Sequence, residues 1–294
     1  MIVVTTPTGQ IGRQTLARLL AAGAPVRVIV RAAGRLSPAV RDQVEVVEGS
    51  HGDADVVTKA FDGADSVLWV VPPNPHAPSL DAAFAGFSRP ASVALKTQGV
   101  ERVVAVSALG RGTPMAGHAG HVTASLAMDD LLAGTGVGYR ALAMPSFMDN
   151  LLRQTELIKN EGMFTSPISG SRAMPICAID DIAAVAADLL LDGTWSGVDE
   201  VPVLGPEDLS HDDMAKIMSE VLQRPVRFQQ VSGPDFKARL MQLGTSGAVA
   251  QGMLDMMQAK DAGLDNAVPR TAQASTPTGF RQWCQDVLKP AILT

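Results

Sequence analysis

The stretch TTPTGQIG, from Thr5 to Gly12, puts two glycines between a short apolar run, Ile2–Val4, and a helical pattern of Ile11, Thr15, Leu16, Leu19 and Leu20. A helix that begins in such a turn offers unpaired backbone N–H groups and the positive end of its dipole, both suited to a phosphate. Gly9 would let an anionic ligand approach the backbone, and Gly12 would let the helix pack against the strand. Thr6, Thr8, Gly9, Gln10, Ile11 and Gly12 therefore form a candidate pyrophosphate-binding turn. The full G-x-G-x-x-G spacing is absent, because Thr6 stands at the first glycine position. An ordinary strand-to-helix turn is the alternative. The next apolar run ends VIVR, and Arg31 at that end, with Arg35 in the following loop, would favour the 2′-phosphate of NADP(H). An acidic residue there would instead bind the ribose of NAD.

Candidates for proton chemistry are fewer. GHAGH carries His118 and His121, three residues apart at the start of a predicted helix and so on a similar face of it. With an ordinary pKa near 6.5 either could give a proton to a substrate oxygen or hydrogen-bond to it; as plainer roles, they could cap the helix or face solvent. No third ligand stands at a spacing a metal site would use, so no metal is expected. Cys177 and Cys284 are the only cysteines, which argues against a disulfide framework. The single tyrosine, Tyr139, lies on an apolar run and reads as a core residue. Trp69, Phe147, Met148 and Met174 could wall an apolar pocket or simply fill the core. Met241, Met253, Met256 and Met257 would give the C-terminal region an adaptable surface.

The elements that must position these residues follow from periodicity. Ile2–Val4, Val26–Val30, Val44–Val47, Ser66–Val71, Arg102–Ser107 and Gly138–Ala143 read as strands. They are mostly continuous apolar runs, as expected of parallel strands buried on both faces. Helical patterns alternate with them. A helix is expected over Phe147–Lys159, an exposed turn region at GMFTSPISGS, a helix over Ala178–Leu191 and a strand at Val201–Leu204. Ser210 and Asp213 form a capping-box start for a further helix, and residues 235–268 read as helical. The implied fold is α/β: a doubly wound parallel sheet of Rossmann type with a smaller, mostly helical C-terminal lobe. Residues 1–150, with 174–204 returning to them, would form the first domain; 151–173 and 205–294 would form the lobe.

These elements carry a resemblance. The chain resembles the NmrA-like branch of the atypical short-chain dehydrogenase/reductases over nearly its whole length. The motifs are TPTGQIG, VIVR at 28–31, FDGADSVLWVVPP at 61–73, VVAVSALG at 103–110, YRALAMPSFMDN at 139–150, AIDDIAAVAADLL at 178–190, GPEDLSHDDMAKIMSEVLQRPV at 205–226 and TPTGFRQWCQDV at 276–287. The resemblance implies NADP(H) as cofactor, with Val71, Pro72, Ser107 and Pro145 beside it. Dehydrogenases of the wider superfamily pair a tyrosine with a lysine four residues on, which lowers the phenol's pKa. Those positions fall on His121 and Ser125 here, and Ala143 follows four residues after Tyr139. The resemblance thus points to an NADPH-dependent reductase of a small, aromatic or quinone-like acceptor, working without the dyad, with His121, His118 and Ser107 at the catalytic positions. A non-catalytic NADP(H)-binding redox sensor is the alternative.

The totals bound the partners. The 294 residues carry a net charge of −6 with no block of like charges, so neither a nucleic acid nor an anionic membrane is an expected partner. No stretch approaches 18 uninterrupted apolar residues. A cytoplasmic protein, monomeric or homodimeric, acting on a small molecule is the expectation.

Overall fold

The apolar runs of the first half become β1 (Ile2–Thr5), β2 (Val26–Val30), β3 (Glu45–Glu48), β4 (Ser66–Trp69), β5 (Arg102–Ala108) and β6 (Gly138–Met144) in the computed structural model, which describes residues 1–293. With Val198–Pro202 they make a seven-stranded sheet in the order Val198–Pro202, β6, β5, β4, β1, β2, β3. The ladders from β3 through β2, β1 and β4 to β5 are parallel, with Val4 opposite both Val28 and Leu68. All four residues of β1 and of β4 are buried, which is why these strands read as unbroken apolar runs. The strand order reverses between β1 and β4, the place where open α/β sheets leave a crevice at their carboxyl ends. Thr5 ties that point together. Its hydroxyl donates to the Leu68 carbonyl and accepts from the Val70 N–H, each at 2.8 Å.

Contacts divide the chain into two compact units, residues 1–108, 124–143 and 182–201, and residues 109–123, 144–181 and 202–294. This division differs from a cut at 150. Residues 109–123 and 144–150 go with the second unit, where the Leu109 N–H donates to the Met144 carbonyl at 3.2 Å. Gly120, at φ 55°, lies so near the chain there that a Cβ would sit 2.0 Å from the Gly252 carbonyl oxygen.

The first unit's core joins sheet and helices through Val3, Ile29, Phe61, Trp69, Leu95 and Tyr139. The second unit's core is built by Ile158, Phe164, Met218, Phe280, Trp283 and Leu288. The expected helix over Phe147–Lys159 is three pieces: a two-residue strand Ser146–Phe147, a 3-10 helix Met148–Gln154 and a helix Thr155–Glu161. The expected exposed turn at GMFTSPISGS is corrected as well. Met163–Ser166 is a strand parallel to Arg227–Gln230, with Phe164 fully buried, because its partner lies over sixty residues away and leaves no local signal. The capping box at Ser210 and Asp213 forms as read and opens the helix His211–Leu222. The Met-rich segment makes helices Gly233–Gln242 and Gly247–Asp261, with Met241 exposed and Met253, Met256 and Met257 half-buried. No helix among the described residues is long and apolar enough to cross a membrane.

Candidate functional site

The turn after β1 has the geometry its glycines predict. Thr6 sits at φ 48°, in the left-handed region that a β-branched residue seldom adopts. Its carbonyl accepts the Gly9 N–H at 2.9 Å, closing the turn. Gly9 is the N-cap of the helix Gln10–Ala21, and no side chain caps that helix end. Thr8, Gly9 and Gln10 are exposed, whereas Ile11 and Gly12 are buried against the strand. A Cβ on Gly12 would lie 2.2 Å from the Thr6 carbonyl oxygen, so only glycine allows this close approach. A helix N-terminus without a side-chain acceptor, bordered by exposed small residues at the sheet's reversal point, fits a pyrophosphate.

Arg31 and Arg35 are both exposed beyond β2. Their loop is pinned by Glu48, whose carboxylate accepts the Ala33 N–H, and by the Gly49 N–H, which donates to the Val30 carbonyl at 2.9 Å. Val71 and Pro72 follow β4, each partly exposed. Under this end of β4 lies His51, which sequence reasoning missed. Its Nε2 is 3.0 Å from the Val70 carbonyl, and its ring stands edge-on to Trp69 and Phe87 with centroids 5.1 and 4.9 Å away. Burial brings its pKa down to about 4, against the Val70 hydrogen bond and with a contribution from the Arg31 charge. A lone histidine in GSHGD carries no pattern that could have flagged it. Trp69, read as a possible pocket wall, is a core residue whose indole N–H donates to Ser88 Oγ at 3.1 Å.

At the carboxyl end of β5 the first unit holds a buried polar cluster. Ser107 donates its hydroxyl to Asp129 Oδ2, and Tyr139 donates its own to Asp129 Oδ1 at 2.7 Å. Ser125 Oγ lies 3.5 Å from Ser107 Oγ. All four residues are buried, Ser107 the most exposed of them at 7% and Tyr139 the least at 1%. Tyr139 is thus in the core, as read. Asp129 was not singled out from the sequence, although Ser125 and Asp129, four apart on the helix His121–Ala133, share one face of it.

The second unit carries the remaining candidates. The two histidines do not share a helix face as expected. His118 ends the 3-10 turn Ala116–His118 and is exposed, whereas the helix begins only at His121, after Gly120 has broken the path. His121 is half-buried with Nε2 3.1 Å from the Val249 carbonyl. Burial lowers its pKa, with the Val249 hydrogen bond opposing. The ring nitrogen facing the Val249 carbonyl is a donor, so His121 Nε2–H is donated to Val249. Pro145 is buried, and Met148 and Met174 are core residues. Phe147 is half-buried in its short strand.

Residues 7–192 match the family model described as NAD(P)H-binding. Over 291 residues, 96% of each chain, the sequence is 29% identical to the (4-alkanoyl-5-oxo-2,5-dihydrofuran-3-yl)methyl phosphate reductase of Streptomyces griseus subsp. griseus. It is 27% identical to the NAD(P)H azoreductase of Xenophilus azovorans over 258 residues, 87% of this chain and 86% of that one. Among solved structures, the NADPH-dependent quinone oxidoreductase of Escherichia coli complexed with NADPH superposes with a TM-score of 0.75 at 22% identity, covering 90% of both chains.

Proposed function

The chain belongs to the NAD(P)H-binding family, and on that basis we propose that it is an NADPH-dependent reductase of a small, aromatic or quinone-like acceptor. The observation that carries the reading is the uncapped, glycine-lined helix start at the sheet's reversal point, followed on β2 by exposed Arg31 and Arg35. The N–H groups of that helix start hold the pyrophosphate. The two arginines favour a 2′-phosphate, which selects NADPH over NADH. Val71, Pro72 and Ser107, at the same end of the sheet, line the nicotinamide side. The bound cofactor supplies hydride to the acceptor.

What this chain's own residues contribute to proton transfer is limited. Tyr139 is committed to Asp129 in the core, and no lysine follows it. His121 donates its Nε2–H to Val249 and burial disfavours its charged form, so in this reading it orients rather than protonates. His118 is exposed at the end of its 3-10 turn. Such a site suits acceptors whose reduced form is a delocalised anion that water can protonate. Two of the relatives are named for electron-poor π systems, an acyl-substituted dihydrofuranone and an azo compound.

The test is to incubate the protein and NADPH with a panel of quinones and azo dyes and follow the nicotinamide absorbance. Oxidation that requires both protein and acceptor is expected. Binding of NADPH without oxidation across the panel would replace the reductase with a non-catalytic redox sensor.

A further inference from the structure

The hydroxyl of Ser107 has one proton, and the structure shows where it goes. Ser107 is the penultimate residue of β5, at the carboxyl end of the sheet, the end that also carries the Thr6–Gly12 turn. Its Oγ–H is donated to Asp129 Oδ2. The other carboxylate oxygen accepts from Tyr139 Oη at 2.7 Å, so the carboxylate is held from the β6 side and cannot turn away. Asp129 accepts at both oxygens as an ionised carboxylate, which has no proton of its own to give to Ser107. Ser125 Oγ, 3.5 Å from Ser107 Oγ, is then the donor of that pair.

We propose that Asp129, in its ionised state, is a positioning residue that draws the Ser107 proton inward and so makes Ser107 a hydrogen-bond acceptor at the ligand end of β5. The proposal rests on the reading of Ser107 as lining the nicotinamide side. A serine so held presents its one remaining lone pair to a bound molecule. It receives an amide N–H or a hydroxyl O–H, and it neither donates to an oxyanion nor delivers a proton. Ser107 is therefore not an acid, and the group it recognises is a donor. The same four residues could instead be only a clasp holding the helix His121–Ala133 on β5 and β6. Reversing the bond separates the two roles.

Asp129→Asn reverses it. Tyr139 keeps the carboxamide oxygen on its own side, so the Asn nitrogen faces Ser107, donates to it and turns the Ser107 proton outward. The experiment compares the unmutated full chain, Ser107→Ala, Asp129→Asn and the double variant. It reads NADPH affinity, kcat with a small naphthoquinone, and thermal unfolding. Asp129→Asn and Ser107→Ala should each lower kcat about tenfold. Adding Asp129→Asn to Ser107→Ala should change kcat by less than about twofold, since no serine proton remains to misdirect. Equal losses in both backgrounds overturn the proposal, as does full kcat in Ser107→Ala. So does a kcat loss that disappears when the variants are compared at equal distance below their unfolding temperatures. If the unmutated protein binds NADPH but oxidises it with none of the acceptors, the reductase reading has failed. The proposal is then decided by NADPH affinity, where non-additive effects support it and additive effects overturn it.

Discussion

Arg31 stands exposed at the end of β2, so its contribution to the site is its charge rather than its packing. A charge-assisted phosphate contact is worth roughly 1.5–3 kcal/mol. Arg31→Ala should therefore weaken NADPH binding about ten- to a hundredfold and leave NADH binding nearly unchanged. Equal loss for both cofactors would mean that Arg31 supports the loop instead. His51 works through burial. Its pKa of about 4 in the folded protein lies below the ordinary value of 6.5, so acid charges the histidine of the unfolded chain first. The stability that neutral His51 confers is complete above about pH 6.5 and is lost as the pH falls toward 4, reaching about 3 kcal/mol. His121 and His211, both lowered by burial, add to the slope in the same direction. Denaturation curves between pH 7 and 4 should show this decline, and His51→Gln should make it shallower. An unchanged slope would show that His51 is not neutral in the fold. Arg31 was legible because a strand end is a place that local pattern marks. His51 was not, because nothing around it in sequence says that Trp69 and Phe87 will close over it.

In the strand–turn–helix unit at the start of the chain, the glycines and the threonine make opposite demands. Gly12→Ala would push a methyl group to 2.2 Å from the Thr6 carbonyl. The turn or the helix must shift, at a cost of about 1–3 kcal/mol. Loss of measurable NADPH binding and a lower unfolding temperature are expected together; retained affinity would sink the assignment of this turn. Thr6→Gly is expected to act the other way. The left-handed conformation costs a residue with a side chain roughly 1–2 kcal/mol, and the Thr6 hydroxyl is buried without a hydrogen-bond partner. Removing both outweighs the added flexibility of glycine in the unfolded chain, about 0.5–1 kcal/mol. Thermal unfolding should move up slightly with NADPH affinity kept. A destabilised Thr6→Gly protein would show that the strain is relieved elsewhere. This unit was readable in advance because strand, turn and helix start all lie within about twenty residues, where local rules act.

Across the full chain, each of the two units holds its own core, and the second depends on pairing between distant segments. Phe164 is fully buried on the strand Met163–Ser166, with Phe228 of the paired strand 5.3 Å away between ring centroids. Phe164→Ala should cost about 3–5 kcal/mol in urea denaturation; a loss below about 1 kcal/mol would remove it from the core. Sequence alone specified the alternation of β1 to β6 with helices, the glycine turn, the basic end of β2 and the capping box at Ser210. Each of these is set by side-chain periodicity or backbone preference over a few residues. Packing in three dimensions was needed to make GMFTSPISGS hold a buried strand, to part His118 from His121 at Gly120, and to bring Asp129 to the Ser107 proton across 22 residues of chain. A hydrogen-bond partner or a burial site depends on which surfaces meet when the elements pack, and the residues that meet need share no pattern along the chain.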